Sequence, residues 1–370
     1  MYTKNKYIFL LLVTCVFMFG LFFVNTSFLL ETSPNPQQVA RKYFEVIKAK
    51  YFRDNGMIES EKNKTTSESQ SYMMLMAVMS SDRQTFDRVW DWTKSNLQLR
   101  PKDKLFAWLW KDGKIADINP ATDADQDIAY ALYLAHKRWG NEAYLNQARE
   151  IVRDIWNIET KEIAGERYVA AGNWATKYTD GVVVNPSYLA PYQYRAFATF
   201  DTENDWLSLA DSSYKALELC SSSMGLPMDW CKIDNQGNLV KNFKLGNGDS
   251  SKYSYDALRV PFRIAMDYAL YAEPRALEYL KRNNVFAENW KEQGKIFAVY
   301  NQQGEPLVNY ESFANYGTQL ASMSLTNKEL ADEIFKKKIV AVDSFNNLGF
   351  YNLSWLWFGL RFSGDGLGKN

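Results

Sequence analysis

Apolar side chains recur at the three-to-four-residue spacing of packed helices near residues 36–52, 67–80, 83–97, 125–139, 141–157, 185–200, 203–220, 252–271, 273–288, 311–325, 327–345 and 350–363. Turn clusters separate these segments, so the pattern predicts twelve helices arranged as hairpin pairs. Six such hairpins close naturally into an all-α fold, an (α/α)6 barrel whose inner ring of helices is wrapped by an outer ring. Two stretches, 161–184 and 228–248, look different: they are rich in Gly, Asn, Asp and aromatic residues. They read as long loops with short strands over one end of the barrel, where binding residues concentrate and a cleft can form. No Pro/Gly/Ser-rich break divides the body of the chain, so residues 32–370 are expected to be one domain.

Ahead of that domain, Lys4 and Lys6 precede an apolar run over residues 8–24, followed by Asn25, Thr26 and Ser27. This is the layout of a signal peptide or signal anchor, with the positive flank inside. There is no A-x-A-type cleavage motif and no small residue before Cys15, so residues 1–31 are expected to remain as an anchor. The rest of the chain then faces outward from the membrane, where Cys220 and Cys231 are free to form a disulfide.

Charge changes the picture by exclusion. Lys+Arg and Asp+Glu both number 43, leaving no basic surplus to attract nucleic acid. With one histidine, His136, and three cysteines, a Ser-His-Asp triad, a Cys-His pair or a His-rich zinc site has little to build with. Catalysis must therefore come from carboxylates. The 12 Trp and 23 Tyr exceed ordinary core needs and suit the flat faces of sugar rings, although any one ring can equally be core packing.

Three runs carry candidate chemistry. In Ser67-Glu68-Ser69-Gln70-Ser71-Tyr72-Met73-Met74, Ser67 can cap a helix whose positive end Glu68 complements. Alternatively Glu68 stands at the barrel rim, backed by apolar side chains that favour its protonated, acidic form. In Asn119-Pro120-Ala121-Thr122-Asp123-Ala124-Asp125-Gln126-Asp127, the acids at spacing two lack the glycine and downstream Glu of an EF-hand. Packed at a helix mouth they repel one another, which favours a ligand site. In Tyr253-Ser254-Tyr255-Asp256-Ala257-Leu258-Arg259, Asp256 and Arg259 form either an ordinary exposed i,i+3 pair or a base held ionised by its arginine.

Taken in order, these runs resemble glycoside hydrolase family 8. The family pattern Glu-Gly-Gln-Ser-Tyr-Gly-Met corresponds to Glu68 through Met74, and its Ala-Ser/Thr-Asp-Ala/Gly-Asp signature to Ala121 through Asp125, with Ile128-Ala129 following. Phe86-Asp87 with Trp90 and Trp92, Ala107-Trp108-Leu109-Trp110, Asn185-Pro186-Ser187-Tyr188, residues 255–261 and Tyr351-Asn352 also match. The resemblance implies the six-hairpin barrel and inverting, endo-acting hydrolysis of a β-linked polysaccharide. It makes Glu68 the general acid, Asp256 the general base and Asp123 the residue gripping the distorted sugar. Asp125, Tyr72, Trp108, Trp110, Trp174, Tyr188, Tyr255, Arg259 and Tyr351 are then the candidates for supporting the base or binding substrate, while Trp90 and Trp92, two apart on one helix, are structural. No cofactor and no metal is implied. The expected partners are the polysaccharide, the membrane and a neighbouring exopolysaccharide synthase. Ser69 and Met73 replace the family glycines and are expected to narrow the cleft. The alternative is a catalytically silent polysaccharide binder on the same barrel.

Overall fold

The computed structural model describes residues 34–340 and 347–364; the predicted anchor lies outside them. In chain order the α-helices are α1 (Pro36–Tyr51), α2 (Ser67–Met79), α3 (Arg83–Asn96), α4 (Thr122–Trp139), α5 (Glu142–Ile158), α6 (Pro191–Phe197), α7 (Trp206–Leu219), α8 (Val260–Tyr271), α9 (Pro274–Arg282), α10 (Val285–Gln293), α11 (Phe313–Thr326), α12 (Lys328–Ile334) and α13 (Phe350–Ser363). Helices α2, α4, α6, α8, α11 and α13 touch one another in that order, and α13 returns to α2, closing an inner ring. Each is backed by one of α3, α5, α7, α9, α12 and α1. This is the (α/α)6 barrel.

Burial explains the two rings. Every residue of α2 from Ser69 to Val78 is buried, so this helix has no polar face to offer solvent. By contrast α5 buries Tyr144, Ala148, Ile151, Val152 and Ile155, a single stripe at helical spacing. The inner ring is closest between α11 and α13: a Cβ on Gly359 would stand 1.9 Å from the Gly317 carbonyl oxygen, backbone against backbone. Gly359→Ala is therefore expected to force two inner helices apart, costing at least the ~1–3 kcal/mol typical of an overfilled core. A thermal melt checks this; an unchanged midpoint would show that the two helices do not pack at glycine distance.

Three short sheets decorate the rim. Strands β1 (Lys64–Thr66), β2 (Leu109–Lys111) and β3 (Lys114–Asp117) form one antiparallel sheet, β4 (Thr160–Ile163) pairs with β5 (Glu166–Val169), and β6 (Gly181–Val184) pairs with β7 (Cys231–Asp234). Both segments expected to be loops with strands are so built. A disulfide joins Cys220, at the end of α7, to Cys231, and both are buried.

Where the helices differ from expectation, a local cause is visible. The segment at 273–288 splits at Asn283, whose extended backbone ends α9 before α10 begins. The segment at 185–200 opens as a 3-10 turn (Pro186–Tyr188) and restarts at Pro191, the first residue of α6, where a missing N–H costs nothing. Residues 252–256 are not helical: Tyr253 bridges to Tyr300, and helical turns begin at Ala257. The segment at 327–345 passes from α12 into a π-helical turn (Phe335–Val340), and its last residues lie outside those described.

Candidate active site

The inner helices begin at one rim, and their first turns carry the acids. Glu68 is the second residue of α2 and Asp123 the second of α4; Asp256 immediately precedes the 3-10 turn Ala257–Arg259 that leads into α8. Carboxylates here meet the positive ends of helix dipoles. The N-cap of α2 is Thr66, not Ser67: its hydroxyl accepts from Ser69 N at 3.1 Å.

Arg259 gathers the three acids. Its Nη1 donates to Glu68 Oε1 at 3.0 Å and to Asp123 Oδ2 at 2.6 Å, while Nη2 donates to Asp256 Oδ1 at 2.8 Å. The Arg259 and Asp123 side chains are 2% and 1% exposed, against 29% and 31% for Glu68 and Asp256, so only the two proposed catalytic carboxylates open to solvent. The guanidinium also lies over the Tyr188 ring, 5.4 Å from its centroid. Far from an ordinary surface pair, Asp256 and Arg259 belong to a buried network.

The repulsion expected among Asp123, Asp125 and Asp127 is settled without a ligand. Asp123 meets Arg259; Asp127, one helical turn on, meets Arg263, whose Nη2 donates at 2.8 Å. The i,i+4 spacing of the two acids matches the i,i+4 spacing of the two arginines. Asp125 points elsewhere. It is buried, takes Phe106 N at 2.9 Å and lies beside Glu159, and burial pushes both carboxyls well above their usual range. The structure thus does not bring Asp125 to the Arg259 cluster.

Asp256 is held by groups that neighbouring strands deliver. Because Val184 of β6 pairs with Cys231 of β7, the adjoining Asn185 and Trp230 emerge together. Asn185 Nδ2 donates to Asp256 Oδ1 and Trp230 Nε1 to Oδ2, each at 3.0 Å. Beneath them Asp229 accepts from the backbone N–H groups of Ser254 and Ala257, both at 2.9 Å, and from the Ser254 hydroxyl. That fixes the turn presenting Asp256. Burial, and then the Asp256 charge, push the Asp229 carboxyl up to about 6. Sequence reasoning missed Asp229 and Trp230, although both lie at the edge of the loop marked for binding, beside Cys231.

Aromatic residues surround this centre. Tyr72 donates to Glu68 Oε1 at 3.2 Å, one turn along the same helix. Tyr351, second residue of α13, donates to the Tyr255 carbonyl, and the Tyr255 ring stays 41% exposed next to Asp256. Trp174 tilts against Trp230 at 6.3 Å, and Tyr188 meets Trp230 edge-on at 6.0 Å, continuing a line of rings from the base. Trp108 is half-buried where its carbonyl accepts from Ser67 N at 3.0 Å, at the entrance to α2. Trp110 departs from this set and packs edge-on against Trp92 at 5.6 Å. The expectation that Ser69 and Met73 crowd the cleft is not met: the Ser69 hydroxyl turns back to Thr66 Oγ1 at 2.9 Å, and Met73 is buried in the core.

Burial, followed by the Glu68 charge, drives the Asp123 carboxyl up to about 8 despite the opposing Arg259. Three acids share one guanidinium, and near neutrality the cluster keeps a proton.

Fold and site together define an (α/α)6-barrel protein with paired carboxylates at the rim. The chain belongs to family 8 of the glycosyl hydrolases, whose family model matches residues 24–349. Among its relatives, Endoglucanase C of Ruminiclostridium cellulolyticum is 30% identical over 296 residues, covering 78% of this chain and 61% of that protein. This chain spans 60–61% of the length of the first three endoglucanases it matches. Similar solved structures include a Beta-1,3-1,4-glucanase from Paenibacillus sp.X4 (TM-score 0.80, 23% identity, 90% of this chain and 93% of that one). An endo-beta-1,4-glucanase from Acetobacter xylinum gives TM-score 0.73 at 22% identity, covering 89% and 98%. At these identities the two structures speak for the fold.

Proposed function

We propose that the chain hydrolyses internal bonds of a β-linked glucan-like polysaccharide with inversion at the anomeric carbon. The observation carrying this reading is that Glu68 and Asp256, alone solvent-open in the cluster, sit on the two terminal nitrogens of one guanidinium. Contacts of 3.0 and 2.8 Å across the planar fork hold their facing oxygens within about 8 Å of each other. Inversion asks for carboxyls ~6.5–9.5 Å apart, leaving room for a water, against ~5–5.5 Å for retention, and the anomer first formed decides between the two. Asp256 already accepts from Arg259, Asn185 and Trp230, which leaves one of a carboxylate's about four acceptor positions for that water.

In the proposed step the water oxygen bonds to the anomeric carbon as Asp256 takes a water proton. The bond to the leaving oxygen breaks, and that oxygen takes the proton of Glu68. Asp123, buried with its Oδ2 on Arg259 Nη1, positions the guanidinium that stands between the acid and the base. A silent binder has no use for an acid and a base spaced in this way. The test is reducing-sugar release by the purified soluble part from mixed-linkage β-glucan, xylan and chitosan, with the anomer first formed read by NMR. Retained configuration in the product, or release undiminished in Glu68→Gln, would refute the reading.

Asp123 also sets an expected pH dependence. Its folded carboxyl titrates above the free value of 3.8, so its stabilising contribution is full at low pH, declines between about 4 and about 8 and is gone above that. Activity is expected to fall as pH rises through about 8 and the cluster loses its proton. Asp123→Asn, always neutral, is expected to flatten the decline in melting temperature between about pH 4 and 8; an unchanged profile would remove the proton from Asp123.

We also infer an extracytoplasmic, membrane-held enzyme that trims a surface polysaccharide beside its synthase. The lysine-flanked apolar run at residues 8–24 and the Cys220–Cys231 disulfide support the location. Among the described residues no helix is long and apolar enough to cross a membrane. Full-length protein released from membranes by alkaline carbonate would count against the anchor, and loss of the enzyme without change in surface polysaccharide length would count against the role.

A further inference from the structure

The outer side of the barrel rim carries a second aromatic groove, of about 700 Å³, that shares no lining residue with the Arg259 cluster. It lies between the chain after α1 (Arg53, Asn55, Glu59), the end of α3 (Trp92, Asn96), and β2 with the turn after it (Trp110, Asp112). Trp92 is buried and fixes the half-buried Trp110 edge-on, with interplanar angle 80°. The floor is stiff: Arg53 Nε donates to Glu59 Oε2, and Asn63 N to Glu59 Oε1, each at 2.7 Å; Asp112 N donates to the Asn63 carbonyl at 3.0 Å. Two amides each use one end on the protein. Asn96 Nδ2 donates to the Trp92 carbonyl at 2.8 Å, and Asn55 Oδ1 accepts from Met57 N at 3.0 Å. Each keeps its other end, one acceptor and one donor, for a ligand.

We propose that this groove is an accessory binding site for the polysaccharide that the catalytic cleft cuts. An indole face with planar amides at its edge suits a pyranose: the C–H face lies on the ring while hydroxyls need donors and acceptors together. The Arg53–Glu59 pair neutralises its own charge and Asp112 adds one exposed carboxylate, so the groove disfavours a polyanion. A long chain engaged at both places gains avidity that a short one lacks. The β1–β2–β3 sheet supports this arrangement, since β1 runs directly into α2 and Glu68 while β2 carries Trp110.

The proposal rests on the glycan reading of the cleft, and the test separates the two. Retention of wild type, Trp110→Ala, Asn96→Ala and Glu68→Gln is measured in gels containing mixed-linkage β-glucan, beside hydrolysis of that polymer and of a β-1,4-linked hexasaccharide. Trp110→Ala is expected to weaken retention about 3- to 10-fold, and Asn96→Ala less, with hexasaccharide kcat/KM for Asn96→Ala within about twofold of wild type. Glu68→Gln is expected to keep wild-type retention while losing hydrolysis. Unchanged retention in both groove variants overturns the accessory site. So does hexasaccharide hydrolysis that falls in Trp110→Ala as far as polymer hydrolysis, which would place Trp110 in the cleft. Asn96→Ala leaves the indole pair in place and keeps the test valid should Trp110→Ala melt early. Wild type that neither binds nor cuts either probe overturns the glycan reading itself, and this site with it.

Discussion

Arg259→Lys is expected to cut turnover by about 100-fold or more while leaving a folded, less stable protein, because the cluster depends on a planar fork and not merely on a positive charge. One terminal nitrogen serves Glu68 and Asp123 and the other Asp256, so the guanidinium sets the spacing between acid and base. A lysine ammonium is a point donor on a flexible stem: it can neutralise Asp123 or reach Asp256, but it cannot hold both at a fixed separation. The acid and base then lose their common reference, and a misplacement of about 1 Å is enough to cost about 100-fold. Arg259→Met goes further, leaving a protonated Asp123 buried without its hydrogen-bond partner, at a cost of ~1–3 kcal/mol in stability. Kinetics on the polymer and a thermal melt for both variants check the argument. Turnover within tenfold of wild type in Arg259→Lys would mean that some other group sets the spacing.

The barrel was largely legible because inner and outer helices both leave a helical mark, and six hairpins have few ways to close. The acids were legible too, since Glu68 and Asp123 lie at helix starts where capping chemistry and a functional reading coincide. What sequence could not show was direction. Residues two apart on a helix face nearly opposite sides, so Asp123 and Asp125 part company, while Asp127 at i+4 follows Asp123 down the barrel wall to Arg263. Nor could spacing reveal Asp229 and Trp230. Their hydrogen bonds to the 254–257 turn and to Asp256 span more than twenty residues and depend on the β6–β7 pairing. Those same bonds explain why residues 252–256 read as helix but are not: Asp229 takes the N–H groups of Ser254 and Ala257. For Trp110, composition suggested a sugar platform, but its contact with Trp92 on the outer side of the rim could not be read from the sequence.

Replacing the two solvent-open carboxylates separately should divide their roles. Glu68→Gln is expected to lower kcat on polysaccharide by roughly 10³-fold, within the range of general acid catalysis, since a sugar hydroxyl leaves poorly without a proton. On an aryl glycoside whose phenol leaves readily as its anion, the same variant should recover most of its rate, because no proton is needed there. Asp256→Asn should show no such rescue: the water must still lose a proton whatever departs, and the amide cannot take it. Asn185, Trp230 and Arg259 do hold an amide differently, because all three donate to this position and the new side chain would turn an NH2 group toward one of them. Some loss in Asp256→Asn will therefore be positional, and substrate affinity measured alongside kcat separates that part. The decisive quantity is the ratio of aryl glycoside to polysaccharide rates in each variant. If the ratio rises in Asp256→Asn and stays flat in Glu68→Gln, the acid and base are assigned the wrong way round; if it rises in neither, neither residue protonates the leaving oxygen.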